Sequence, residues 1–94
     1  MVYKTSSNTF YKHPINREWE NYNKFTAEQI LFENNLYQGD LFNKFLMTHF
    51  GLHFNFEIFD RIKTLPGFDM ETYTYEFDIL NSEKFLLAKL KYGL

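Results

Sequence analysis

Two histidines four residues apart are the first side chains whose type and spacing could do chemistry. His49 and His53 would present two imidazoles to a metal ion if a single helix carried both of them. Gly51 lies between them and is expected to end that helix, and a third ligand would have to be His13 or a distant carboxylate. The chain also has no cysteine to supply a thiolate. We therefore predict ordinary surface or half-buried histidines and no metal site.

Two carboxylates, on Glu76 and Asp78, form the other pair with a suitable spacing. Alternate residues of a strand share one face, where these two groups could act as a general acid and a general base. Thr72 and Thr74 continue the same alternation, however, which is typical of the solvent-facing side of a sheet. No Walker loop, dinucleotide fingerprint, nucleophile elbow or deaminase zinc signature is present. We predict a protein without a catalytic residue or a cofactor.

The elements that position these residues begin with helices. Pro14 suits a first helical position, and a short helix over residues 14–23 would align the apolar side chains of Ile15, Trp19 and Tyr22. Thr26 and Gln29 have the spacing of a capping box, which predicts the start of a second helix.

Glycines and an aspartate divide the next stretch of the chain. Gly39 is expected to end the second helix, and Asp40 is expected to cap a third one. The third helix would end at Gly51. Its apolar positions fall on one stripe and comprise Leu41, Phe42, Phe45, Leu46 and Phe50.

After Gly51 the apolar period changes from 3.6 to 2, which predicts strands. Apolar and polar residues alternate from Leu52 to Ile58, and again from Thr72 to Ile79. Pro66 and Gly67 lie between these two runs and are typical of a turn. We expect an antiparallel hairpin whose loop spans roughly residues 63–70.

The last segment fits two structures. Asn81 and Ser82, an early Glu83, later lysines and Gly93 indicate a capped helix with charges that match its dipole. The same segment also alternates as a third strand would, with Lys84, Leu86, Ala88, Leu90 and Tyr92 on one side. We slightly favour the strand, because a two-stranded hairpin is marginal on its own and a third strand would complete a sheet.

These elements predict an α+β fold. Two or three N-terminal helices would pack on a C-terminal antiparallel β-hairpin or three-stranded meander, all within one domain of residues 1–94. Residues 1–13 are rich in Ser, Thr, Asn and Lys, with Tyr3, Phe10 and Tyr11 interspersed, and are interpreted as an extended or partly disordered arm.

The amino-acid composition limits which compartment and which partners are expected. Aromatic residues make up 21% of the 94 residues, more than a core of this size is expected to enclose, so some should form an interface patch and favour a homodimer. The lack of cysteine indicates a reducing compartment. Neither a signal peptide nor a run of roughly 20 apolar residues is found, so we expect a cytoplasmic protein without a membrane partner.

The positions of the charged residues along the chain are more informative than the net charge of −2. Five acids and no Lys or Arg occur from residue 69 to residue 83, and the acids are Asp69, Glu71, Glu76, Asp78 and Glu83. Such a face could imitate phosphates and occupy a basic groove of another protein. The remaining candidate contacts are the aromatic anchors Phe10, Tyr11 and Trp19, which we expect to be exposed.

The predicted function is therefore protein binding without catalysis. Many Asn, Lys, Phe, Tyr and Ile residues would suit an AT-rich genome, and short domains of this kind are typical of phage or mobile-element accessory proteins. This favours an inhibitor of a host or defence protein, acting in the host cytoplasm. The alternative is nucleic-acid binding by the N-terminal segment, where Lys4, Lys12 and Arg17 lie among aromatic rings.

Overall fold

The protein has an α+β fold. The computed structural model describes residues 1–23, 26–33 and 36–94. In chain order the elements are β1 (Val2–Ser6), a 3-10 helix (Ser7–Lys12), α1 (Pro14–Glu20), α2 (Ala27–Glu33), α3 (Leu36–Phe50), β2 (Leu52–His53), α4 (Phe56–Lys63), β3 (Thr74–Ile79) and α5 (Ser82–Tyr92). Within the described ranges, every helix is too short or too polar to cross a bilayer.

The three strands form one antiparallel sheet in the order β1-β3-β2. The central strand is β3, which confirms the strand predicted up to Ile79. Its register places Val2 opposite Asp78 and Lys4 opposite Glu76 on one side, and Leu52 opposite Ile79 on the other. Tyr75 and Phe77 are buried while Glu76 is exposed, so the alternation along β3 separates a core face from a solvent face.

The expected order of helices followed by strands is wrong, because the first element is a strand. The segment interpreted as an arm forms β1 and the 3-10 helix, and β1 pairs with residues 74–78 of β3. Tyr3 points to the core face, where its ring centroid lies 5.3 Å from that of Phe85. A strand from the other end of the chain thus completes the sheet, which local patterning could not indicate.

The strand predicted from Leu52 to Ile58 is also wrong beyond its first two residues. Asn55 ends it, because its side-chain oxygen accepts a hydrogen bond from the backbone N–H of Ile58 at 3.1 Å and so caps α4. Phe56 and Phe59 then follow at helical spacing. The two predicted strands do pair antiparallel, as β2 and β3. The connection between them is longer than the loop expected over residues 63–70, because it contains α4 as well as a loop.

Some of the predicted helix boundaries are confirmed and others are wrong. The capping box is confirmed, since the N–H of Thr26 donates to Gln29 at 2.8 Å and the N–H of Gln29 donates to the Thr26 hydroxyl at 3.1 Å. Gly51 ends α3 at φ +67°, as expected. Gly39 and Asp40 do not divide two helices, because both lie inside α3. Gly39 instead admits the ring of Phe56, which would lie 3.2 Å from a Cβ at that position.

The first helix and the last one complete the comparison. Helix α1 begins at Pro14 as predicted and ends at Glu20, earlier than the predicted residue 23. Residues 34 and 35, which lie within the predicted second helix, are outside the described residues. The slight preference for a strand in the last segment is wrong, because α5 is a helix. Asn81 caps its start, and Gly93 ends it in the left-handed conformation at φ +72°.

One aromatic-rich core joins the sheet to the helices. Phe54 is buried and contacts rings of α4 and β3, with centroids 5.4 Å from Phe59 and 5.3 Å from Phe77. On the other side, Trp19 of α1 packs edge-on against Phe42 and Phe45 of α3, at 5.2 Å from each. Ring pairs of this kind stabilise a core beyond the area they bury.

Candidate interaction surface

Helix α5 is held against the protein by one side only. Its inward residues are Phe85, Ala88 and Tyr92, whose spacings of three and four place them on one face. Phe85 contacts the ring of Tyr3, and the ring centroid of Tyr92 lies 4.9 Å from that of Phe50. The helix therefore lies beside β1 and the end of α3, with its opposite face directed at solvent.

The backbone fixes where α5 begins. The carbonyl of Gly51 accepts hydrogen bonds from the N–H groups of Leu80 and Asn81, both at 3.0 Å. The side-chain oxygen of Asn81 in turn accepts from the N–H of Lys84 at 3.1 Å. These contacts join the end of α3 to the start of α5, so the outward face of α5 has a defined direction.

That outward face is apolar. Leu86, Leu87 and Leu90 are 58%, 65% and 78% exposed, respectively. At 3.6 residues per turn they lie side by side, opposite Phe85, Ala88 and Tyr92. We call these three residues the leucine face. Single exposed leucines are ordinary, whereas a contiguous group of three on one helix is typical of a docking surface.

Leaving this face in water is energetically costly. Full burial of a leucine side chain stabilises a protein or complex by about 1.5–3 kcal/mol. Burying these three side chains, each more than half exposed, would therefore contribute roughly 3–6 kcal/mol. The core elsewhere buries its apolar residues closely, including Leu31, Leu46 and Leu52 at 0% exposure. The leucine face would therefore be stabilised by contact with another apolar surface.

Charges frame the leucine face along the helix axis. Glu83 lies in the first turn of α5, while Lys89 and Lys91 lie in its last turn. This distribution matches the helix dipole. The ammonium of Lys91 lies 5.1 Å from the ring centroid of Tyr92, so its side chain lies along the helix surface. Glu83 and Lys84 lie at one end of the leucine face, and Lys89 and Lys91 lie at the other.

The five predicted acidic contacts are spread over three parts of the structure. Glu76 and Asp78 share the outer face of β3, as predicted, while Asp69 and Glu71 lie in the loop before it and Glu83 lies on α5. A lysine and a histidine lie near the strand pair. Glu76 Oε1 lies 3.5 Å from Lys4 Nζ, and Asp78 Oδ2 lies 3.9 Å from His53 Nδ1. Because the ammonium of Lys4 faces Glu76, the strand pair presents a weaker negative surface than the sequence indicated.

The predicted aromatic contacts are mostly unavailable at the surface. Phe10 is 0% exposed and Trp19 is 3% exposed, so the expectation that they are exposed is wrong. Phe10 packs between His13 and the sheet rings, with its ring centroid 5.1 Å from that of Tyr75. Tyr11 is 62% exposed and is the one member of the predicted aromatic set that solvent reaches freely. The two buried rings cannot serve as surface anchors or stack on bases without leaving the core.

The two histidines of the predicted pair belong to different elements. His49 lies in the last turn of α3, where its ring stacks on Tyr22 at 5.6 Å between centroids, whereas His53 belongs to β2. Residues 1–23, 26–33 and 36–94 contain no group of three or more His, Asp and Glu residues that could hold a metal ion. A groove of about 280 Å³ runs beside His49 and is lined by Trp19, Tyr22 and Phe45.

His13 instead has a structural role. Its Nδ1 accepts a hydrogen bond from the N–H of Ile15 at 3.0 Å and so caps α1. The neutral ring consequently carries its proton on Nε2, which donates to the hydroxyl oxygen of Tyr3 at 2.8 Å. Burial lowers the pKa of His13 from 6.5 to about 4 and raises the pKa of Tyr3. This contact joins β1 to the first helix.

Sequence reasoning missed the leucine face. The predicted strand placed Leu86 and Leu90 on one side with Ala88, whereas in the helix they lie opposite Ala88. The signal was available in the capping residue Asn81 and in Gly93, which together indicate a helix. Applying the helical period between them places Leu86, Leu87 and Leu90 together.

Relatives contribute no further information on the role of this surface. Comparisons with models of protein families, with curated proteins and with solved structures found no match.

Proposed function

We propose that this protein functions by binding another protein, without catalysis, and that the leucine face of α5 is its docking surface. The observation that carries the proposal is the exposure of Leu86, Leu87 and Leu90 on a helix whose opposite face is anchored in the core. Apolar side chains at the centre of a patch, with charged residues at its rim, are the arrangement found at protein interfaces.

The acidic strand face supports this function less well. Lys4 and His53 lie beside its two carboxylates, so phosphate imitation would begin from a partly compensated charge. Inhibition of a host or defence protein stays a proposal, and it is compatible with docking through the leucine face. Nucleic-acid binding by the N-terminal segment has less support, since Phe10 and Trp19 are in the core and Lys4 faces Glu76.

An affinity capture with matched variants tests the proposal. The full chain is immobilised as wild type, as Leu87→Glu and as Leu65→Glu, and proteins retained from a lysate of the native source or its host are identified by mass spectrometry. Leu65 is the control because it is 58% exposed but lies on the loop after α4. We expect a stoichiometric partner retained by wild type and Leu65→Glu and lost from Leu87→Glu, because a carboxylate at the centre of an apolar contact is costly to bury.

Two further arms separate the competing functions. Retention lost from a Glu76→Lys, Asp78→Lys double variant, with Leu87→Glu unaffected, would move the docking surface to the strand. Retention abolished by nuclease treatment would favour nucleic-acid binding, which depends strongly on salt. Either result contradicts docking through the leucine face.

A further inference from the structure

We propose that the partner of the leucine face is a second copy of this chain, in an antiparallel dimer of α5 helices about a twofold axis at Leu87. The inference rests on the proposed function and names its partner. In a twofold interface the same patch occurs on both subunits and must be complementary to itself. The residues of α5 can be checked directly for this property.

Of the four charged residues of α5, Glu83 and Lys91 are complementary to each other across the axis only when the two helices run in opposite directions. Glu83 lies four residues before Leu87 and Lys91 lies four residues after it. An antiparallel partner centred on Leu87 therefore brings Glu83 of each copy level with Lys91 of the other. A parallel partner would instead place Glu83 beside Glu83 and Lys91 beside Lys91, which is unfavourable.

The apolar residues fit the same arrangement. Leu90 lies about 60° from Leu87 around the helix and Leu86 about 100°, so Leu90 packs beside the axis and Leu86 lies at the edge of the contact. Antiparallel helices also align their dipoles favourably. None of the three leucines contributes to the buried core, so dimerisation requires no rearrangement of the chain.

The size of the helix sets the strength of the association. Helix α5 has 11 residues, so its contact surface is about 16 Å long. Such a contact is smaller than the ≈800 Å² per partner of a typical stable interface. We therefore expect a reversible dimer with a dissociation constant on the order of 1–100 μM, rather than an obligate one.

Sedimentation equilibrium of the full chain tests the proposal over a series of concentrations from about 1 μM to 1 mM, which spans the expected dissociation constant. We expect wild type and Leu65→Glu to reach twice the mass of the chain. Leu87→Glu should weaken the dimer by at least about tenfold, since two carboxylates would meet at the axis. Circular dichroism of each variant checks the fold, and Leu86→Glu is a second variant if Leu87→Glu fails to fold.

A mixing experiment tests the direction of the helices. Glu83→Lys places Lys opposite Lys91, and Lys91→Glu places Glu opposite Glu83, so each variant alone should dimerise less than wild type. In an equimolar mixture the two variants form a heterodimer in which both pairs are again opposite in charge. We expect the mixture to dimerise more than either variant alone at the same total concentration.

Each contrary result has a defined meaning. A wild type that stays monomeric throughout, or a dimer that Leu87→Glu leaves intact, overturns self-association through α5. A dimer lost in Leu87→Glu without any gain on mixing overturns the antiparallel arrangement. If wild type is monomeric yet captures another protein through Leu87, the self-association is wrong while the proposed function stands. If neither self-association nor capture depends on Leu87, both are wrong.

Discussion

The side chain of His13 joins strand β1 to helix α1. His13 accepts the N–H of Ile15 with Nδ1 and donates to Tyr3 with Nε2, and the bond accepted at Nδ1 requires the neutral ring. Protonation converts Nδ1 into a donor and removes the cap of α1. The structure thus opposes protonation chemically as well as by burial.

The lowered pKa of His13 predicts that stability falls on acidification. The folded pKa is about 4 and the ordinary value is 6.5, so the unfolded chain takes up the proton first. The contribution of His13 is fully present above about pH 6.5 and is lost as the pH falls toward 4, by on the order of 1–3 kcal/mol. Urea unfolding at about pH 7 and pH 4.5 measures it.

His13→Asn is the matched variant for this measurement, because asparagine caps a helix and does not titrate. When the pH is lowered, the free energy of unfolding of this variant should fall less than that of wild type. The carboxylates titrate equally in both proteins, so the difference reports on His13. Equal losses in wild type and variant would show that His13 does not carry the pH dependence.

Asn16 is a second residue on which several elements depend. It is 1% exposed, and its Nδ2 donates to the carbonyl of Tyr11 at 2.9 Å and to Glu20 at 3.2 Å. Its Oδ1 accepts the N–H of Ala27 at 2.7 Å. Its amide therefore joins the 3-10 helix, α1 and the start of α2.

We expect Asn16→Ala to lower the free energy of unfolding by about 2–4 kcal/mol, because the freed N–H and carbonyl groups would lie buried without a partner. Asn21→Ala is the control, since Asn21 is exposed and makes one long hydrogen bond of 3.4 Å to Glu18. The control should change stability by less than about 0.5 kcal/mol. Chemical denaturation of the three proteins provides the comparison, and similar losses in both variants would contradict the role of Asn16.

At the scale of elements, the junction of α3 and α5 is the most tightly constrained. Gly51 has φ +67°, and its carbonyl accepts two N–H groups from the start of α5. A Cβ added there would lie 2.4 Å from the carbonyl oxygen of Asn81, a distance that requires the backbone to move. The glycine is therefore needed both for its conformation and for a close approach.

Gly51→Ala and Gly67→Ala separate these two requirements. Gly67 also has a positive φ, +82°, but a Cβ there would meet no atom within 4 Å. Gly67→Ala should therefore show only the conformational cost of about 1–2 kcal/mol. Gly51→Ala should lose at least about 2 kcal/mol more, or fail to fold, because the junction must open. Thermal unfolding measures both, and equal losses would show that the close approach to Asn81 is unimportant.

The elements also show what sequence patterns could reveal. The capping box at Thr26, the stop at Gly51 and the strand ending at Ile79 were predictable because each depends on residues close in sequence. Two of the failures have non-local causes. Gly39 accommodates the ring of Phe56 rather than ending a helix, and β1 joins the sheet from the other end of the chain. The third cause is local, because the capping side chain of Asn55 outweighed an alternation of apolar residues.

The same limits apply to the candidate surface. The alternation along β3 placed Glu76 and Asp78 on one face, but it gave no sign that Lys4 and His53 would face them. Burial of Phe10 and Trp19 depends on contacts with α3 and the sheet, which no local pattern contains. The leucine face could have been found from α5 alone, once its caps identified it as a helix.

At the scale of the whole molecule, aromatic and aliphatic residues differ in where they lie. The aromatic rings that seemed too numerous for one core are largely enclosed by it, and Tyr11 and Tyr22 are the large aromatic residues, among those described, that are clearly exposed. Most of the other exposed apolar residues in the described part of the chain are aliphatic, and they include the leucine face of α5. Self-association was expected from the aromatic content, whereas the structure directs attention to leucines.

A dimer of this kind predicts that thermal stability depends on protein concentration. Binding of a second copy to the folded chain but not to the unfolded one stabilises the folded state by mass action. The midpoint of thermal unfolding of wild type should therefore rise by a few degrees between about 5 μM and 500 μM protein. Differential scanning calorimetry measures the midpoint at each concentration.

Variants locate the source of this dependence. Leu87→Glu should unfold at one temperature whatever its concentration, while Leu65→Glu should retain the slope of wild type. At low concentration, where wild type is monomeric, Leu87→Glu should unfold close to the wild-type temperature, because an exposed side chain contributes little to the monomer. A flat wild-type midpoint, or a slope that survives in Leu87→Glu, would mean that the leucine face does not bind a second copy.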